Sequence, residues 1–218
     1  MNGSPYARLG LSRNPFTADP APGVASELWV NRPAPEPPRA GQRRLVQLLG
    51  EKGAGKTSLL LRWRDEEAGP YRYVPPTFPL RDGWRRALLL PVRPLVYWDE
   101  ADRAPAPLLR FALHRAARTG ATVVVGTHHD LTPEATRAEL PVQTHAFPPL
   151  TPDALRAWCK PRIAAAALPD QPATALPVVP DDILRETCDA AGSSLREASV
   201  ILHLWAARLA RGSAPDSS

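Results

Sequence analysis

Eight residues constrain this chain more than any others: Gly50-Glu51-Lys52-Gly53-Ala54-Gly55-Lys56-Thr57, a complete G-x-x-x-x-G-K-[ST] string. Its setting carries as much weight as its letters. A short apolar run, Leu45 to Leu49, precedes it, and Ser58-Leu59-Leu60-Leu61-Arg62-Trp63 follows with helix-forming residues. Such a loop works only between a strand and a helix. Glycines let the chain curl until successive backbone N–H groups point inward, and the helix N-terminus adds positive dipole. Gly50 to Ser58 would then wrap a polyphosphate, with Lys56 on its outer phosphates and the Thr57 hydroxyl on Mg²⁺. The pattern predicts a nucleoside-triphosphate site.

From residue 44 onward, strand and helix patterns alternate. Strands are expected at Leu45–Leu49, Tyr71–Val74, Leu95–Trp98, Thr122–Val125 and Val142–Phe147. Helices are expected at Thr57–Glu67, Trp84–Leu89, Pro107–Arg118 and after Thr132, read as an N-cap before Pro133 and Glu134. The run Thr122-Val123-Val124-Val125 has no polar alternation, as in a strand covered on both faces. This βαβ rhythm predicts an α/β fold, a parallel sheet sandwiched by helices. After Pro149 the character changes: three helical stretches follow, about 152–167, Asp181–Ala191 and Ser193–Arg211, and no strand. Ser194 and Glu197 have capping-box spacing. The organisation expected is a Pro-rich arm over 1–42, a phosphate-loop core over 43–149, a helical lid over 150–211 and a disordered tail over 212–218.

A second motif lies some forty residues past the loop. Leu95-Val96-Tyr97-Trp98-Asp99-Glu100 is an apolar strand ending in two acids. At the carboxyl end of a strand in an open α/β sheet, such side chains face the ligand crevice. Asp99 is placed to hold the Mg²⁺ shell, and Glu100 to orient or deprotonate an attacking water. Gly126-Thr127-His128-His129-Asp130 follows the Val-rich strand, which should neighbour the acidic one. Thr127 is the first candidate there for a polar contact to the γ-phosphate or water, and His128 the second. Arg196, in the first turn of the last helix, is poorly placed for the helix dipole. It is either solvated or serves something outside the helix, such as a phosphate.

Composition narrows the setting. Residues 1–96 hold 15 Lys/Arg against 8 Asp/Glu, so positive charge gathers around the phosphate loop. A solvated basic face accounts for this more readily than a nucleic-acid surface. No apolar stretch approaches the ~20 residues that span a bilayer, and Met1-Asn2-Gly3-Ser4-Pro5-Tyr6 lacks a secretory pattern, so a cytoplasmic protein without membrane partners is expected. Cys159 and Cys188 sit in apolar helical patterns and are expected as buried, reduced thiols.

These residues together resemble the AAA+ ATPases, nearest to the bacterial branch of secretion-pathway and transposition-helper ATPases. Gly50–Thr57 resembles Walker A, Asp99-Glu100 Walker B, Thr127 the first sensor, and Gly192 with Arg196 the second. Leu9-Gly10-Leu11-Ser12-Arg13-Asn14-Pro15-Phe16 is similar to an N-terminal segment that helps enclose the nucleotide base. Pro148, Leu150 and Thr151 with Arg162 are similar to the segment leading into the lid. The resemblance implies a P-loop NTPase three-layer sandwich of AAA+ type with a five-stranded parallel sheet and a C-terminal helical lid. It implies ATP and Mg²⁺ as cofactors, hydrolysis that is slow without assembly, homo-oligomers on ATP binding, and a partner of transposase or other DNA-processing type. DNA is a further candidate partner through the basic half. The arginine finger is unassigned, with Arg137, Arg118 and Arg115 as candidates. Two rival readings remain: a non-catalytic nucleotide-binding scaffold and a P-loop phosphotransferase, which the acidic pair disfavours.

Overall fold

The computed structural model describes residues 4–17, 36–76 and 93–212. The chain divides into two compact units, Pro33–Phe147 and the combination of Met1–Arg32 with Pro148–Ser218. The expected helix at 84–89, the arginines Arg85 and Arg86, the arm residues Leu28 and Trp29 and the tail beyond Gly212 lie outside the described residues.

In the first unit the described elements are β1 (Arg44–Leu49), α1 (Lys56–Glu66), β2 (Tyr71–Tyr73), β3 (Leu95–Asp99), α2 (Ala106–Thr119), β4 (Thr122–Thr127), α3 (Thr132–Arg137) and β5 (Val142–Ala146). All five strands are parallel, in the order β2-β3-β4-β1-β5. Every residue of β3 and β4 is buried, which is why their sequences lack polar alternation, whereas β5 at the edge is half exposed. One sheet face presents Leu45, Val96, Trp98, Val123 and Val125 to Leu109 and Leu113 of α2 and Ala135 of α3. The other face carries α1: the Tyr97 hydroxyl lies 3.1 Å from the Trp63 carbonyl and 2.9 Å from that of Glu67. Leu59, Leu60 and Trp63 are buried on this helix, each worth roughly 1.5–3 kcal/mol of burial. Helices thus cover both faces of a parallel sheet. The chain has the α/β sandwich on a five-stranded parallel sheet that its sequence predicts, followed by helices in its C-terminal part.

Register places the chemistry. Leu48 pairs with Gly126 and Leu49 with Thr127, while Trp98 pairs with Val125. The carboxyl ends of β1, β3 and β4 therefore lie side by side at the centre of the sheet, where parallel α/β sheets form their crevice. Two local expectations are corrected. Thr132 is not the N-cap of α3; it is the first helical residue, and Leu131 precedes it without a side-chain cap. The Asp130 carboxylate takes both the backbone N–H (2.9 Å) and the hydroxyl (2.6 Å) of Thr132, so the Asp ends the preceding turn and the Thr is drawn into the helix. The final helix starts at Leu195 rather than Ser193, because the Ser194 hydroxyl accepts the Glu197 N–H at 3.2 Å and acts as its cap.

In the second unit α4 (Pro152–Ala165), α5 (Asp181–Ala191) and α6 (Leu195–Arg211) share a core with the N-terminal segment. Phe16 is buried between Trp158, stacked at 6.1 Å, and Trp205 at 6.4 Å. Arg162 lies over the Trp158 ring at 3.8 Å, and burial pushes its guanidinium down to about 10. Asn14 fixes the segment's course by donating to the Tyr6 hydroxyl and the His203 carbonyl, both at 3.0 Å, and accepting the Phe16 N–H. Cys159 and Cys188 are both buried free thiols, and burial raises Cys159 to about 12, leaving it an inert core residue.

Candidate functional site

β1 runs straight into the glycine-rich loop. Gly55 caps α1 at φ 104°, a left-handed conformation that a side chain would strain, and so the helix begins at Lys56. Among the described residues, the backbone N–H groups of Gly53, Gly55, Lys56 and Thr57 have no hydrogen-bond acceptor. Orphan donors at the head of an eleven-residue helix form an anion site. Beside the loop a cleft of about 560 Å³ is bounded by Leu49 to Lys52 on one side and by His128 to Asp130 on the other.

Lys56 is buried and folds over its own loop, donating to the Gly50 carbonyl at 2.6 Å and the Glu51 carbonyl at 2.9 Å. Burial pushes its ammonium below the usual lysine range, while Glu100, Asp102 and Asp99 pull the other way. A polyphosphate would add negative charge to a cation that burial has deprived of water.

Thr57 and Asp99 meet directly. The Thr57 hydroxyl donates to Asp99 Oδ2 at 2.8 Å, although 42 residues separate them. Asp99 is fully buried; Oδ2 also accepts the Tyr71 hydroxyl at 2.9 Å, and Oδ1 accepts the Glu100 N–H at 3.1 Å. Burial, followed by the Asp99 charge and hydrogen bond, raises the Tyr71 phenol far above its ordinary value, keeping it a donor. Two hard oxygen donors on adjacent segments suit Mg²⁺, which takes one or two protein ligands and completes its shell with water and substrate phosphates. Thr57 and Asp99 are the residues that would hold it.

Gly126 makes room for this carboxylate. A Cβ at Gly126 would stand 2.6 Å from Asp99 Oδ1 and 3.0 Å from Leu60 Cδ1. Gly126→Ala is therefore expected to displace Asp99 from Thr57 and destabilise the fold by about 1–3 kcal/mol, the usual range for overpacking. Thermal unfolding and a Mg²⁺-dependent nucleotide titration of the variant check this; wild-type values in both would show that the carboxylate has slack.

Glu100 turns out of β3 in the left-handed region, at φ 58°. A non-glycine residue held there costs of order 1–3 kcal/mol, and such strain clusters at functional sites. Its Oε2 lies 3.0 Å from Arg103 Nη2 and 3.0 Å from His128 Nε2. His128 Nδ1 in turn lies 3.3 Å from Lys56 Nζ. With Nδ1 accepting from the ammonium, the neutral ring carries its hydrogen on Nε2, which lies close to Glu100 Oε2 without making a hydrogen bond to it. Lys56, His128, Glu100 and Arg103 thus form a continuous polar chain across the crevice.

Thr127 is placed differently from His128. Its side chain is buried, with the hydroxyl 2.6 Å from the His129 carbonyl and 3.2 Å from the His129 amide nitrogen. It shapes the turn, and it is His128 that contacts Lys56 and Glu100. Arg196 belongs to the second unit, in the first turn of α6, exposed and without an ion pair among the described residues. Of the finger candidates, Arg137 pairs with Glu134 at 3.6 Å, while Arg115 and Arg118 are exposed on α2. Glu51, Lys52 and Ser58 are exposed and Ala54 is buried.

Four contributors went unread in the sequence. Tyr71 and Arg103 have just been described. Asp102 accepts the His128 N–H through Oδ2 at 3.2 Å, and its Oδ1 is buried without a partner. Gln47, fully buried in β1, donates to Asp130 (2.6 Å) and Thr144 (2.8 Å) and accepts the Leu131 N–H (2.9 Å). It fixes the turn that carries His128. The readable signals were a polar residue inside an apolar strand and the continuation of Asp99-Glu100 into Asp102-Arg103.

No protein-family model and no curated protein sequence matches this chain. Among solved structures it is similar to Thermotoga maritima RuvB, a Holliday junction branch migration motor (TM-score 0.48, 18% identity, covering 73% of this chain and 53% of that one). It is also similar to Cdc6p from Pyrobaculum aerophilum (0.46, 17%, 91% and 65%) and to C. elegans PCH-2 (0.39, 13%, 77% and 62%). The chain spans about half the length of RuvB and under two thirds of the other two. No helix of the described residues is long and apolar enough to cross a membrane.

Proposed function

We propose that this chain is an AAA+ type ATPase that binds ATP·Mg²⁺ at the Gly50–Ser58 loop and works as a nucleotide-dependent switch on a protein or DNA-processing partner. The observation that carries the reading is the 2.8 Å bond from Thr57 to Asp99, which joins the phosphate loop to the acidic strand end and sets together the two residues that would hold a metal. Bound Mg²⁺ would screen the phosphate charges and polarise the terminal phosphoryl group. The chain's own residues do the rest. Loop amides and Lys56 hold the polyphosphate, Glu100 orients and deprotonates a water, and His128 or Thr127 supplies the polar contact beside it. Arg196 is the cation assigned to sensing the γ-phosphate.

Glu100 is already engaged by Arg103 and His128. Turning that carboxylate toward a water means leaving those neighbours, which favours slow basal turnover. Homo-oligomer formation on ATP binding, a transposase-like partner and a cytoplasmic setting complete the proposal. Phosphate release measured across protein concentration tests it. Specific activity that climbs with concentration is the expected result. Constant activity would remove assembly from the reading, and no release under any condition would favour the non-catalytic scaffold.

A further inference from the structure

The outward face of α2 gathers basic side chains around an exposed phenyl ring. Arg110, His114 and Arg118 recur at four-residue spacing, with Phe111 and Arg115 alongside, so that the five side chains cover one side of the helix. All are exposed, and Phe111 is 58% so. The helix, Ala-Pro-Leu-Leu-Arg-Phe-Ala-Leu-His-Arg-Ala-Ala-Arg-Thr, contains no acid. Several other arginines have neighbours of opposite charge: Arg62 has Glu66, Arg137 has Glu134, and Arg156 has Asp153 and Asp181. Arg110, Arg115 and Arg118 pair with no described residue.

Such a surface is costly when bare. Like charges at helical spacing repel, and an exposed phenyl ring keeps apolar area in water. The helix dipole accounts for Arg115 and Arg118 near the C-terminus but not for Arg110 near the start. A ligand that relieves both costs must be polyanionic and must offer a flat apolar face. A single-stranded nucleic acid has both, as phosphates for the arginines and unstacked bases for the ring. A duplex hides its base faces, and an acidic peptide gives the phenyl ring no stacking partner.

We propose that this face of α2 binds single-stranded nucleic acid, with Phe111 as a stacking platform and Arg110, Arg115 and Arg118 on the phosphates. Arg110 to Arg118 spans about 12 Å of helix axis, enough for a short run of nucleotides. The inference stands apart from the nucleotide reading and does not require it.

Fluorescence anisotropy with a labelled oligothymidylate, and with a duplex of equal length, tests the proposal on the full chain at several salt concentrations. The single strand is expected to bind more tightly than the duplex, with affinity falling as salt rises. Phe111→Ala should weaken it about tenfold or more, and Phe111→Tyr should restore it. Arg110→Glu should weaken binding and flatten the salt dependence. ATP binding by the same variants reports that they are folded and separates failure here from failure of the phosphate-loop site. No oligothymidylate binding, a preference for duplex, or indifference to Phe111→Ala would overturn the proposal. So would variants that abolish self-association while leaving oligonucleotide binding intact, since the face would then cover a second copy of the chain.

Discussion

Lys56→Ala is expected to remove triphosphate binding. The ammonium already reaches two carbonyls of the loop, at 2.6 and 2.9 Å, and is the only lysine buried at the site. Its bonds to phosphate oxygens would be charge-assisted, worth about 1.5–3 kcal/mol each. Losing two of them corresponds to a weakening of more than about a hundredfold. The fold should survive, because the substitution also removes a desolvated charge. Isothermal titration with ATP·Mg²⁺, alongside thermal unfolding, separates the two effects. Unchanged affinity in a folded variant would remove the phosphate-loop assignment altogether.

Glu100→Gln is expected to separate binding from turnover. The amide keeps the shape of the carboxylate, so the left-handed turn after β3 and the Asp99 contact with the Glu100 N–H can persist. What is lost is the negative charge that faces Arg103 and His128 and the capacity to take a proton from water. General-base removal costs on the order of 10²–10⁴ in rate. ATP should therefore bind with near wild-type affinity while phosphate release falls by that factor. Single-turnover measurements at saturating protein are the appropriate readout. Wild-type turnover in this variant would show that Glu100 holds structure and that some other group handles the water.

Both variants probe one polar chain, and its order explains why they should differ. Lys56 stands at the loop end, Glu100 at the strand end, and His128 lies between them at 3.3 and 3.0 Å. Removing the first is expected to empty the site, and removing the second to leave it filled and inactive.

The sequence by itself determined the frame. The spacing of Gly50, Gly55, Lys56 and Thr57, the apolar run ending at Asp99, and the βαβ rhythm led to a parallel sheet with its crevice at the strand ends. These are short-range patterns: periodicity, glycine freedom and helix-start chemistry are local properties of the chain. The pairing of Thr57 with Asp99 followed from that frame, although 42 residues separate them. Tertiary structure alone decided which side chains fill the space between. Only the β1–β4 register brings Gly126 against Asp99, and only the burial of Gln47 ties the His128 turn to β5. Thr127 and His128 are adjacent in sequence, and no local rule says which faces the crevice. The fold decides by burying the hydroxyl in its own turn and leaving the imidazole between Lys56 and Glu100. The same holds for the N-terminal Phe16, whose place between Trp158 and Trp205 depends on contacts across most of the chain. Hydrophobic pattern tells a residue to be inside; only packing tells it beside whom.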